Sequence, residues 1–297
     1  MFLKIHEPNT YQKFLLAAEH RTILHDYDQH KLFTYSKGVE GETYFHEQLK
    51  NTECVKIWDL RLDYLSGCQF DFLIFDKSTI FHIDIKNYTG SYQLVNQQFV
   101  SANGHVHADV ISQLNKAHYK LEMFLKKQYI PYKLVSRILF VNCDYDLAVT
   151  TVPQNVLLPH QVENVVRHIQ SIEPLREHQA TAEKIISYHN DDLIQERIHY
   201  YPFREYKGGI RCEKCRRLTM TPDYNKRYIF CSNCRHRIDN KTALLQLIKE
   251  MSLLKNDSLQ AAEVSNWSGM PHQTVKRMMS NACHSKGANK NRQYILK

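Results

Sequence analysis

Hydrophobic positions recur along this chain with two periods, and the changes of period divide it into elements. Residues 10–19, TYQKFLLAAE, read as a short helix with Thr10 as a candidate N-cap. KGVEGETYFHEQLK (37–50) is read as a helix that starts at its glycines, because Tyr44, Phe45, Gln48 and Leu49 are spaced three to four apart. CVKIWDLRL (54–62) is strand-like. Two further strands are expected at 69–76 and 79–87, and a strand or hairpin arm at 90–100. DVISQLNKAHYKLEMFLKKQ (109–128) predicts an amphipathic helix ended by Pro131, followed by a buried strand at 136–142. Two more helices are expected near 160–172 and 174–189, the second opened by Pro174. Helix, strands, helix and strand in this order form an α/β pattern.

FDFLIFDKSTIFHIDIK (70–86) departs from a simple buried pattern. With Lys77-Ser78 as a two-residue loop, Asp76 pairs with Thr79 and every opposed pair sums to 155, which sets Asp71 opposite Asp84. Alternation then places His82, Asp84 and Lys86 on one face, and Ile83 and Ile85 on the other. Lys-Ser is not a favoured tight turn, and a one-residue slip would invert every face. Opposed carboxylates with Cβ atoms ~4.5–5.5 Å apart repel. A lysine between them relieves part of that, and a hard divalent cation relieves it better. The other reading of the same residues is an edge hairpin with a solvated polar face.

Charge separates the chain into two parts. Residues 1–203 hold 20 Lys+Arg against 24 Asp+Glu, net −4, whereas residues 204–297 hold 19 against 7, net +12. A basic third attached to a slightly acidic body points to a polyanion such as nucleic acid, the alternative being a solubilising surface. The basic third also carries structure. CEKC (212–215) and CSNC (231–234) give Cys-x2-Cys-x15-Cys-x2-Cys, so Cys212, Cys215, Cys231 and Cys234 are candidate ligands of one structural Zn²⁺. Around them Arg216, Arg217, Lys226, Arg227, Arg235 and Arg237 alternate with Tyr224, Tyr228 and Phe230, a mixture suited to phosphates and bases. The aromatics also suit a small ribbon core.

TALLQLIKEMSLLK (242–255) predicts an amphipathic helix with Thr242 as cap. Residues 258–282 predict a helix, a turn at Trp267-Ser268-Gly269 and a second helix opening at Pro271. That second helix would present His272, Gln273, Thr274, Lys276 and Arg277, and SKGANKNRQYILK forms a wing or a basic tail. A helical packing module that touches no nucleic acid is the alternative.

Four stretches in order, GVEGE, QFDFLIF, FHIDIKNYTG and DVISQL, resemble the nuclease-related domain known as NERD over roughly residues 37–145. Asp71 followed by Asp84-Ile85-Lys86 resembles the PD-(D/E)xK nuclease signature. The resemblance implies a mixed sheet flanked by helices. It also implies Asp71, Asp84 and the helix-borne Glu42 as ligands of Mg²⁺ or Mn²⁺, Lys86 as the catalytic lysine and Gln113 beside them. Members usually carry Glu where Asp84 stands, so the carboxylate here is one methylene shorter. The cysteine module resembles the zinc ribbons at the ends of topoisomerases. The expected organisation is a nuclease-like domain at 1–206 (core about 37–145, helical extension about 155–200), a Cys₄ ribbon at 207–240 and a helix-turn-helix-like domain at 241–297.

The expected activity is metal-dependent hydrolysis of DNA phosphodiesters, with RNA left open. The alternative is an inactive nuclease fold serving as scaffold for a nucleic-acid-binding or regulatory protein. MFLKIHEPNT lacks the basic start and apolar run of a signal peptide, and no apolar stretch approaches the ~20 residues of a membrane-spanning helix, so a cytoplasmic, membrane-free protein is expected. Weaker candidates are His82 and the HVH at 105–107.

Overall fold

The computed structural model describes all residues except 97, 105–108, 150, 194–195, 223–226, 288–291 and 297. In chain order the elements begin with β1 (Phe2–Lys4), α1 (Thr10–Ala18), α2 (Asp26–Leu49), β2 (Lys56–Leu62), β3 (Cys68–Asp76) and β4 (Thr79–Lys86). β5 (Gly90–Val95), β6 (Gln98–Ser101), α3 (Val110–Lys127), β7 (Lys133–Phe140), β8 (Tyr145–Ala148) and β9 (Val156–Leu157) follow. Then come α4 (Val162–Gln170), α5 (Arg176–Ile186), β10 (Tyr228–Phe230) and β11 (Arg237–Asp239). α6 (Asn240–Lys255), α7 (Ala261–Ser268), α8 (His272–Ala282), β12 (Cys283–Lys286) and β13 (Gln293–Leu296) complete the order. Contacts group these into two units, Met1–Asn9 with Phe33–Ile194, and Thr10–Leu32 with Gln195–Lys297. The sequence reading kept residues 10–32 with the first domain. In the structure Arg21 instead bonds Glu250 and the carbonyls of Lys207 and Gly209, and Phe14 and Leu15 pack with Tyr201, Tyr206 and Leu254.

The first unit is a mixed α/β layer structure. Its six-stranded sheet runs β1-β2-β3-β4-β7-β9. β2, β3 and β4 are antiparallel neighbours, whereas β1–β2, β4–β7 and β7–β9 pair in parallel. One face is covered by α3 and α5, whose Leu121, Phe124, Leu125, Ala182 and Ile185 meet Leu73, Phe75 and Ile80. The other face is covered by α2 and α4, whose Phe45, Leu49, Val166 and Ile169 meet Phe72, Ile74, Ile83 and Ile85. A smaller sheet, β6-β5-β8, packs with the start of α3 through Tyr92, Phe99, Val110 and Tyr145.

α2 begins at Asp26 rather than at the glycines, with Asp26 and Asp28 in its first turn, where acids favour a helix start. Gly38 and Gly41 therefore lie inside a helix. Gly41 has a packing reason to be there: a Cβ at that position would lie 2.7 Å from Asn87 Cβ and 3.2 Å from Val141 Cγ2. Only a residue without a side chain lets α2 approach the ends of β4 and β7 this closely. α3 starts where expected, capped by Asp109, whose carboxylate accepts the Ser112 N–H at 2.9 Å.

In the second unit, β10 and β11 form an antiparallel hairpin beside the four cysteines. α6 starts at Asn240, two residues before Thr242, because the Asp239 carboxylate accepts the amides of Lys241 and Thr242 and so takes the cap. α7 ends at Gly269, whose left-handed backbone (φ 69°) turns the chain into α8. β12 and β13 pair as a hairpin, and β13 returns to bridge Leu259 through Tyr294. Ala243, Leu247, Ile248, Val264, Val275, Met279 and Tyr294 share one core.

Candidate functional site

The site on the sheet is built by the β3–β4 hairpin. The Lys77-Ser78 loop holds, and the ladder runs from Asp76↔Thr79 to Phe72↔Ile83, every pair summing to the expected 155. It stops one step short of Asp71 and Asp84. Asp71 Oδ2 there accepts the Ile85 N–H at 2.8 Å, a backbone bond where the ladder has opened. Asp84 Oδ2 lies 2.6 Å from Lys86 Nζ, their side chains 22% and 17% exposed. The ion pair is close but poorly aligned, since Asp84 Oδ2 is buried and no well-directed hydrogen bond reaches it among the described residues. Glu42 comes from α2, its Oε2 accepting the Trp58 indole N–H at 2.7 Å.

The electrostatics of the four groups are coupled. Burial, then the charges of Glu42 and Asp84, raises the Asp71 carboxyl well above its usual range, with Lys86 and the Ile85 amide opposing. Burial also raises Glu42, against the Trp58 hydrogen bond. Burial alone would lower Lys86, but Asp84 and Asp71 outweigh it and push its pKa up, so the ammonium keeps its proton at neutral pH. Asp71 and Asp84 thus share one firmly protonated lysine, and both also feel the charge of Glu42. Their oxygens are not gathered as tightly as the thiols described below. Among the described residues, only the four cysteines form a group of three or more ligand atoms all within 4.8 Å.

Gln113 lies exposed near the start of α3, and no hydrogen bond joins it to these acids among the described residues. His82 is buried. Its Nδ1 is 3.1 Å from Ser136 Oγ, a hydroxyl shared with His118 at 2.9 Å, and burial pushes its pKa down to about 4, which keeps it neutral. The HVH at 105–107 lies outside the described residues.

The sequence reading missed Asp59. The β2–β3 pairs sum to 130, so Asp59 lies at the level of Asp71, flanked by Trp58↔Phe72 and Leu60↔Phe70. Asp59 is fully buried and left-handed (φ 65°) inside a strand, an uncommon conformation for a residue other than glycine. The inward face changes phase there: Trp58 and Phe72 pack under α2 and α4, whereas Leu60 and Phe70 pack under α3 and α5. Asp59 is held by His6 Nδ1 at 2.8 Å and by Arg61 Nε and Nη2 at 3.1 and 2.7 Å, while His6 Nε2 meets Tyr35 Oη at 3.0 Å. Burial would raise its pKa, but the His6 hydrogen bond and the Arg61 charge leave it lowered. Asp59 therefore stays anionic in a fully buried position. The available signal was an acid with an arginine two residues on, inside the buried strand KIWDLRL.

Residues 37–141 match the family model of NERD, the nuclease-related domain. The NERD segment begins inside α2, ends just after β7, and contains Glu42, Asp71, Asp84, Lys86 and Gln113. No curated protein and no solved structure matches the chain.

Outside the NERD segment lies the cysteine cluster. Cys212 Sγ is 3.6 Å from Cys234 Sγ, and Cys215 Sγ is 3.5 Å from Cys231 Sγ. Disulfide sulfurs lie ~2.05 Å apart, whereas a tetrahedral zinc with ~2.3 Å bonds sets its sulfurs about 3.8 Å apart. The cluster is compatible with a zinc ribbon. Each Cys-x-x-Cys closes in the same way: the amides of Arg216 and Arg235 donate to the carbonyls of Cys212 and Cys231 at 2.8 and 3.0 Å. Both arginines are left-handed, with φ 60°. Burial pushes the Cys212 thiol up to about 12. Burial also acts upward on Cys231, but hydrogen bonds from the Thr219 hydroxyl and from the Cys234 and Asn233 amides overcome it and leave its pKa about 6. Cys54, Cys68, Cys143 and Cys283 stand outside the cluster.

The basic residues expected to meet nucleic acid divide by their engagement. Arg216 is paired with Glu19 at 2.6 Å, and Arg217 donates to Asn233 at 3.1 Å. Arg227 and Arg237 flank the Tyr228 ring, 5.3 and 4.5 Å from its centroid, and Phe230 beside them is 54% exposed. Arg235 is exposed, while Lys226 and Tyr224 lie outside the described residues. On α8, Gln273 and Arg277 are exposed and Lys276 is half-buried, with Val275 and Met279 turned into the core. Among the described residues no helix is long and apolar enough to cross a membrane.

Proposed function

We propose that this protein is a metal-dependent nuclease that hydrolyses phosphodiester bonds of DNA, with its basic C-terminal unit holding the nucleic acid. The observation that carries the reading is the uncompensated charge at the open end of the β3–β4 ladder, inside the NERD segment. Asp71 and Asp84 share one lysine, Glu42 adds a third carboxyl that both acids feel, and Asp84 Oδ2 lacks a well-directed partner among the described residues. Such a donor set fits a hard cation, Mg²⁺ or Mn²⁺, which accepts carboxylate oxygens together with water. Asp71 and Asp84, with Glu42, would hold it. When bound, such an ion makes water more acidic and offsets charge on a phosphate.

The chain's own groups do the rest. Lys86 keeps its proton, so it donates to a phosphate oxygen or orients a water rather than acting as a base. The Ile85 N–H and the Trp58 indole fix one oxygen each of Asp71 and Glu42, which orients the remaining carboxylate oxygens. In the second unit, α6, α7, α8 and the β12–β13 hairpin follow the order of a winged helix, with α8 in the place of a recognition helix. Arg227, Arg237 and Phe230 on the ribbon would add cations and an exposed ring for a strand.

A second reading, in which the nuclease fold is a scaffold without activity, is favoured by one observation: each acid already has a protein partner, Glu42 with Trp58, Asp71 with Ile85 and Asp84 with Lys86. Zinc-loaded protein assayed with Mg²⁺ or Mn²⁺ on single-stranded, duplex, nicked and branched DNA, and on RNA, separates the two. The nuclease reading expects cleavage that Asp84→Ala and Lys86→Ala each reduce by a factor of about 10² or more. If no nucleic acid is cut with either metal, that reading is wrong and the scaffold reading stands.

A further inference from the structure

The second unit contains a cavity of about 300 Å³ between the start of α7, one side of α8 and β13, lined by Gln260, Ala261, Ala262, His272, Lys276, Arg292 and Tyr294. Two features mark it as more than a packing gap. Tyr294 is only 2% exposed, yet its hydroxyl is buried with no hydrogen-bond partner among the described residues, and Arg292 Nε is likewise buried and unpartnered among them. A buried polar group without a partner costs about 1–3 kcal/mol, so two on residues that line one cavity favour a ligand that accepts hydrogen bonds. The charge also has one sign. Lys276 and Arg292 line the cavity with His272, no acidic side chain does, and none of these three forms an ion pair among the described residues.

The backbone adds to the same polarity. Ala261 and Ala262 are the first residues of α7, whose amides have no acceptor within the helix and stand at the positive end of its dipole. Glu263, the acid of that first turn, is engaged by the Gln260 amide at 2.7 Å and by Lys255 at 2.7 Å. A larger cavity of about 730 Å³ near His20, Tyr200 and Lys207 lacks these features. Its Arg21 is satisfied by Glu250 and two carbonyls, and its Tyr201 hydroxyl by Asp28.

We propose that this cavity is a phosphate-group site, in which Tyr294 Oη, Arg292 Nε, Lys276 and the first amides of α7 take the oxygens of one phosphate. The phosphodiester of a nucleic-acid strand lying along α8 and the hairpin is the source expected, which rests on the reading of the second unit as the nucleic-acid-binding part. Free phosphate presents the same oxygens, and the test separates the two sources.

Full-length, zinc-loaded wild type, Tyr294→Phe and Lys276→Gln are compared without added divalent metal. Thermal shift is measured in inorganic phosphate against sulfate-free chloride of equal ionic strength, and affinity is measured for a duplex oligonucleotide. The expected result is that Tyr294→Phe leaves the melting temperature of the free protein unchanged or higher, because an unsatisfied hydroxyl has been removed, yet weakens duplex binding about 5- to 10-fold. Lys276→Gln is expected to weaken it as well, with a salt dependence reduced by about one ion. If the duplex does not bind but phosphate stabilises wild type and not Tyr294→Phe, the cavity assignment stands with free phosphate as its source, and the nucleic-acid reading of the unit fails. If the duplex binds all three proteins within twofold and phosphate stabilises none, the cavity assignment is overturned while the nucleic-acid reading survives. Absence of any response to either ligand in wild type overturns both.

Discussion

Asp71→Asn is expected to make the metal-free protein more stable and to abolish the proposed nuclease activity. Burial, Glu42 and Asp84 all raise the Asp71 carboxyl in the folded state, more than Lys86 and the Ile85 amide lower it. The folded state therefore binds this proton more tightly than the unfolded chain, whose Asp titrates near pH ~3.9. Stability from protonated Asp71 is complete below that pH and is lost as pH rises through the folded pKa. Each unit of upward shift removes about 1.4 kcal/mol by neutral pH. Asparagine has nearly the same shape, keeps an oxygen for the Ile85 N–H and does not titrate. The variant should thus match wild type near pH 4 and exceed it increasingly towards pH ~8. For a domain of this size each kcal/mol is about 2–4 °C of melting temperature, so the gain is read as a rise in melting temperature that grows with pH. Mg²⁺ should stabilise wild type and not the variant, by about 2.7 kcal/mol at a hundredfold excess over its Kd, narrowing the gap. Thermal unfolding followed by circular dichroism across this pH range, with and without Mg²⁺, measures each term. A variant that melts below wild type at the alkaline end, or a difference that does not grow with pH, would refute the reasoning.

Other substitutions test other parts of the structure. Gly41→Ala places a Cβ 2.7 Å from Asn87 Cβ, so it should destabilise by about 1–3 kcal/mol in denaturant titration and lower cleavage by displacing Glu42. Arg235→Gly relieves a left-handed backbone at an exposed position, so it should slow zinc loss to a chelating dye, while Arg235→Ala should not. Elemental analysis should find one zinc per chain, and Cys231→Ser should abolish it and cost the second unit its cooperative unfolding.

The parts of the site that could be read from the sequence are those held by short-range geometry. A two-residue loop at Lys77-Ser78 and strict alternation were enough to set β3 against β4, because a hairpin register follows from its turn. The cysteine spacing identified the four members of the cluster for a similar reason: two tight knuckles can converge on a common centre. The start of α2 was misplaced because glycine was read as a boundary. Its reason for being in the helix lies in Asn87 and Val141, far along the chain. Asp59 was missed because its importance comes from β2 lying beside β3 and from partners at His6 and Arg61.

By itself, then, the sequence determined the local elements, the β3–β4 register that leads up to Asp71 and Asp84, the cysteine quartet and the division of charge between body and tail. All of these depend on residues a few positions apart or on composition. Only the tertiary structure decided that Lys86 pairs with Asp84, that the charge of Glu42 reaches both acids, and that one oxygen of Asp84 lacks a good partner among the described residues. It alone grouped α1 with the C-terminal unit and closed β13 back onto Leu259, enclosing an unpartnered Tyr294 hydroxyl. Burial and hydrogen-bond satisfaction are properties of segments brought together from distant parts of the chain, and no local pattern records them.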